Sequence, residues 1–65
     1  MENSNSVNFL VRIKNIDSVR INFELNSMGY SLQYGSWVKR YDDINIYNDE
    51  LEYLEENYNI QYSID

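Results

Sequence analysis

Sixty-five residues that include neither cysteine nor histidine leave this chain without disulfides, without thiolate or imidazole chemistry, and without the usual zinc ligands. A domain this short buries only about 60% of the surface its unfolded chain exposes, so its stability rests on packing or on a partner. A deep catalytic cleft is hard to build at this size. The core must come from aliphatic residues and an aromatic set of seven tyrosines, two phenylalanines and Trp37. Tyrosine packs its ring while its hydroxyl stays wet, which suits thin domains and interfaces equally.

The chain has no proline and only two glycines, Gly29 and Gly35, so neither a flexible linker nor a phosphate-cradling glycine loop is expected, and no internal repeat is visible. Residues 1–6 read as a flexible polar tail before a single α+β domain spanning 7–65. That tail lacks the basic segment and apolar stretch of a signal peptide, and the longest aliphatic or aromatic run is Phe9-Leu10-Val11. A cytoplasmic protein with no membrane span is expected.

Periodicity predicts the elements. Val7, Phe9, Val11 and Ile13 alternate with mostly polar residues as a half-buried strand. Val19, Ile21, Phe23 and Leu25 alternate in the same way, which makes a second strand the expectation, closed by a hairpin loop at Asn26–Gly29. A helix from 18 to 28 fits the same residues, with Asp17 as cap, Ile21, Leu25 and Met28 as its apolar stripe and Gly29 at its C-terminal end. Tyr30–Tyr41 reads as an extended strand with a bulge or bend at Gly35, Asp42-Asp43 as a turn, and Ile44–Tyr47 as strand again. From Asp49 to Tyr58 the period changes: Leu51, Leu54 and Tyr58 mark a helix, with Asp49 and Glu52 as a capping box and Asn57 or Asn59 as a left-handed stop. Ile60, Tyr62 and Ile64 alternate in a last strand. The predicted fold is a small two-layer α+β domain, mainly antiparallel sheet with one helix (49–58) on one face. Its alternative is a miniature ferredoxin-like βαββαβ with a second helix at 18–28.

Charge carries most of the functional reading. Residues 1–40 balance at +2, whereas residues 41–65 hold eight acids and no base. On the predicted helix, Asp49, Glu52 and Glu56 lie opposite Leu51, Leu54 and Tyr58, with Glu55 beside them. Glu52 and Glu56 repel at i, i+4, and Glu55 and Glu56 sit at the negative end of the helix dipole, each at a cost of a few tenths of a kcal/mol. A stripe that opposes stability suits recognition of a basic partner, such as a groove built to hold nucleic acid. Tyr47 and Tyr53 are the expected apolar anchors beside it, and Asp42 and Asp43 its extension. The same face also serves as plain solvated surface, and the two readings weigh equally.

A short chain without cysteine or proline, with its acids concentrated in Asp42-Asp43 and Asp49-Glu50-Leu51-Glu52-Tyr53-Leu54-Glu55-Glu56, resembles the small acidic inhibitors encoded by bacteriophages. Anti-CRISPR, anti-restriction and uracil-DNA-glycosylase inhibitor proteins are among them, and several imitate nucleic acid. The resemblance covers size and charge distribution only. It implies a non-enzymatic inhibitor that blocks a basic, nucleic-acid-binding surface of a host protein such as a defence nuclease.

Other chemistry is not expected. For acid–base hydrolysis the segment Asp42–Glu50 is the local carboxylate cluster to weigh, and no histidine, lysine or glycine turn accompanies it as base or oxyanion donor. Asp43, Asn45 and Tyr47 are spaced as in a calcium loop, yet Asn48 stands where the glycine belongs and Leu54 where the glutamate does. No cofactor and no metal are expected. Direct nucleic-acid binding would use Arg12 and Lys14 with Lys39 and Arg40 near Trp37, too few bases against a net charge of −6. The alternative function is self-assembly, as a structural or regulatory module pairing through strand edges or opposite charges.

Overall fold

The computed structural model describes residues 6–65, where four antiparallel strands form one sheet with two helices packed on it. The elements are β1 (Ser6–Lys14), α1 (Val19–Ser27), β2 (Ser31–Gln33), β3 (Ser36–Asp43), α2 (Ile44–Asn57) and β4 (Tyr62–Ile64). The strands lie in the order β2-β3-β1-β4. This is the βαββαβ arrangement with two helices, not the one-helix sheet. The tail expected at 1–6 lies outside the described residues except for Ser6, which pairs with Asp43.

The alternation of β1 sorts the sheet into two faces. Register sets Phe9 against Tyr41, Val11 against Lys39 and Ile13 against Trp37, and on the other side of β1 Ile64 against Val11 and Tyr62 against Ile13. These residues face the helices, whose Ile21, Leu25, Leu51 and Leu54 complete one core with Tyr30. Val11, Ile13, Leu25 and Leu54 are essentially inaccessible, each worth about 1.5–3 kcal/mol of burial. The even-numbered residues of β1 and β3 form the opposite face, which no helix covers.

Val19–Ser27 is helical, which overturns the strand and its hairpin loop. Ile21 and Leu25, one turn apart, are buried, while Val19 and Phe23, which produced the strand-like alternation, are 87% and 74% exposed. The N-cap is Ser18 rather than Asp17, its side chain accepting from the Ile21 amide. At the other end Gly29 takes φ +97°, and the amides of Gly29 and Tyr30 bond back to the carbonyls of Asn26 and Leu25. That pair of bonds is a Schellman stop. Tyr30 then turns into the core.

The stretch 30–41 is two strands rather than one bent strand. Tyr34 and Gly35 both have positive φ, +53° and +80°, and join Gln33 to its partner Ser36. Two such residues in a two-residue loop make the turn whose twist matches an antiparallel pair.

Helix α2 begins five residues earlier than the sequence predicts. Ile44–Tyr47 is its first turn rather than a strand, and Asp43 is its N-cap rather than part of a turn: the Asp43 carboxylate accepts from the amides of Asn45, at 2.8 Å, and Ile46. The Asp49–Glu52 capping box is therefore internal to the helix. No left-handed asparagine ends it; Tyr58 is extended at φ −140°. The last strand forms as expected over Tyr62–Ile64.

Candidate interaction site

Once α2 starts at Ile44, its carboxylates fall where the periodicity put them. Asp49, Glu52 and Glu56 are exposed and lie around the helix from Leu51 and Leu54. Glu55 is displaced to the flank nearest β4, where its charge adds to burial in raising the Tyr62 hydroxyl above its ordinary pKa. Among the described residues none of these four joins an ion pair. Tyr53 is partly exposed beside them, its hydroxyl donating to Glu24 Oε1 at 3.1 Å, a bond that raises its pKa. Ile46, one helical repeat earlier on the same line, is also exposed.

Three of the expected site residues do not join this surface. Tyr47 turns inward, its ring edge-on to Phe9 at 5.0 Å and to Tyr41 at 5.7 Å, because it occupies the core-facing side of the longer helix. Asp43 is engaged in capping. Asp42 follows the buried Tyr41 in β3, so strand alternation sends it to the opposite face. The surface consists of Asp49, Glu52 and Glu56, with Glu55 and Tyr53 at its margins.

The polar group with the closest geometry is one the sequence does not announce. Glu50, a neighbour of the stripe in sequence, turns toward β3, where its Oε1 accepts from the Tyr41 hydroxyl at 2.5 Å and from Lys39 Nζ at 2.9 Å. Lys39 Nζ also donates to the Met28 carbonyl and lies 4.9 Å from the Tyr41 ring centroid. The Tyr30 and Tyr41 hydroxyls are 2.9 Å apart. Burial pushes the Tyr30 hydroxyl up to about 12, and burial followed by the bond to Glu50 raises that of Tyr41 further. Each of these four side chains has a partner within the chain, and together they tie α2 to the sheet. The available signal was the period of α2 extended back to Ile44, which swings Glu50 away from Glu52.

The helix-free face of the sheet carries Arg12 and Lys14 from β1 and Arg40 from β3, with Leu10 and Val38 between them. Arg12 pairs with Asp65 at 3.1 Å, and Arg40 donates to Asn8 Oδ1 at 2.6 Å. The residues considered for direct nucleic-acid binding are thereby divided. Lys39 is held by Glu50, and the Trp37 indole donates to Asn15 and Asn22 on the helix side. Two shallow hollows of about 350 and 230 Å³ share Lys14 and Gln61 in their walls. The smaller one adds Arg12, Ser36, Tyr62 and Ser63.

Among the described residues no three acidic side chains gather to hold a metal ion, and no helix is long and apolar enough to cross a membrane. Compared with protein families, with curated proteins and with solved structures, the chain matches none.

Proposed function

We propose that the chain is a non-enzymatic interaction module that assembles with copies of itself. The observation that supports this is the difference in charge between the two sides of the sheet: Arg12, Lys14 and Arg40 against Asp42 and Asp65 on the open face, and Asp49, Glu52 and Glu56 on the outer side of α2. Two edge strands add a second route. Ser31–Gln33 and Tyr62–Ile64 hold neither a charge nor a proline, so that only their length of three residues guards these edges against pairing. Static light scattering across a dilution series, at low and at high salt, tests the reading. A mass above that of the single chain that grows with concentration supports it, and a monomer at every concentration defeats it. Loss of the larger species at high salt assigns it to charge, since ~1 M salt shortens the screening length to about 3 Å.

A second reading is favoured by the unpaired carboxylates of α2 among the described residues. As an inhibitor of the phage type, the module would lay this stripe in the basic groove of a nucleic-acid-binding enzyme of the host. Glu52→Gln/Glu55→Gln/Glu56→Gln should then slow capture of that enzyme from bacterial lysate. A triple variant that captures the same protein equally well removes the acidic helix from this reading.

A further inference from the structure

We infer that self-association is head to tail, the open sheet face of one copy receiving the outer side of α2 from the next. This rests on the self-assembly reading above and adds to it the two surfaces and their polarity. The sheet face is the receptor: Arg12, Lys14 and Arg40 stand around Leu10, which is half-buried, and Val38, which is buried. Lys14 is exposed, has no ion-pair partner among the described residues, and borders both hollows.

The outer side of α2 repeats that composition with the opposite sign. Ile46 and Tyr53 form an exposed line along the helix, and Asp49, Glu52 and Glu56 run beside it. Residues one helical turn apart are about 5–6 Å from one another, and Arg12 and Lys14, two residues apart on a strand, about 7 Å. Carboxylates and cations can thus be met pairwise while Ile46 and Tyr53 lie against the half-buried Leu10. Asp42 and Asp65 also stand on the receiving face and reduce its excess to one positive charge. The Arg12–Asp65 pair is partly exposed, of a kind worth about 0–1 kcal/mol, so exchange of Asp65 for a glutamate from another copy meets little resistance.

Like-with-like contact is disfavoured, because α2 against α2 would set carboxylate on carboxylate. The contact therefore joins two different surfaces, a heterologous interface that extends as a chain or closes as a ring.

Two variants blocked on different faces test this. Lys14→Glu/Arg40→Glu removes the receiving face, and Asp49→Asn/Glu52→Gln/Glu56→Gln removes the inserted one without giving it a charge that the altered sheet would attract; all five positions are exposed, and far-UV circular dichroism checks each fold. Should the double substitution in the sheet unfold, Lys14→Glu alone replaces it. Each variant by itself should be monomeric at a concentration where the native chain is associated. An equimolar mixture should give a species of twice the 7.9 kDa chain mass and nothing larger, since one intact interface remains. A mixture that stays monomeric, or a single variant that still forms the native assembly, overturns the head-to-tail arrangement and leaves self-assembly standing. A native chain that is monomeric throughout overturns both.

Discussion

The Tyr41 hydroxyl donates to Glu50 Oε1 at 2.5 Å, and through that oxygen the centre of β3 is tied to the middle of α2. Lys39 reaches the same atom and is only about one fifth exposed. Removing the carboxylate leaves a partly buried ammonium and a buried hydroxyl short of a partner, which costs about 1–3 kcal/mol. Glu52, two residues on and fully outside, has nothing to lose. We expect Glu50→Ala to lower the urea midpoint by that amount of stability and Glu52→Ala to stay within about 0.5 kcal/mol of the native chain. Equal effects would show that the Glu50 contacts are not holding the helix to the sheet.

The same group makes stability depend on alkaline pH. Tyr30 ionises at about 12 in the folded chain against an ordinary value of 10.0, because burial disfavours the phenolate. Between those values the unfolded chain has released a proton that the folded chain still holds, so stability falls as pH rises. The contribution is complete below pH 10 and lost as pH passes through about 12. Thermal melts at increasing pH should show the melting temperature declining over this window. Tyr30→Phe should make the decline shallower, Tyr41 supplying what remains, at the cost of the bond to Tyr41.

Asp43 anchors the start of α2, and its carboxylate satisfies the amides of Asn45 and Ile46. Asp43→Ala should destabilise the domain by roughly 0.5–2 kcal/mol, and Asp43→Asn, which keeps an acceptor oxygen, by much less. Amide exchange of Asn45 and Ile46 reports the change locally. Exchange that speeds up equally across the whole helix would argue against a capping role.

Which parts of this fold the sequence discloses follows from where periods 2 and 3.6 agree. Val11, Ile13, Leu51 and Leu54 sit in unambiguous patterns, and all are buried. Val19, Ile21, Phe23 and Leu25 satisfy alternation, whereas only Ile21 and Leu25 satisfy the helical spacing that the core uses. An exposed phenylalanine at position 23 is what disguised the helix. At 44–47 the β-branched Ile44 and Ile46 signalled a strand, but the carboxylate of Asp43 and the approach of Tyr47 to Phe9 and Tyr41 outweigh that preference, since strand propensity is mainly a matter of context. The acidic stripe was legible because it needs only local spacing. The pairing of Glu50 with Lys39 and Tyr41, and the collection of Arg12, Lys14 and Arg40 on one face, depend on strand register, which a single sequence does not display.

The β2–β3 turn offers a substitution that should stabilise the domain. Tyr34 holds φ at +53° with its side chain fully exposed, so it bears the cost of the left-handed region without burial in return. Gly35, at φ +80° with open space around it, already suits the second position. Asparagine tolerates positive φ better than tyrosine does, and Asn-Gly is the favoured pair for a two-residue turn of this kind. Tyr34→Asn should raise stability by a few tenths of a kcal/mol up to ~1 kcal/mol, read as a higher urea midpoint with an unchanged slope. Gly35→Ala should lower it, since alanine cannot adopt that backbone without strain. A loss of stability in Tyr34→Asn would mean that the exposed ring makes a contact outside the isolated chain, and its dependence on protein concentration would identify another copy as the source.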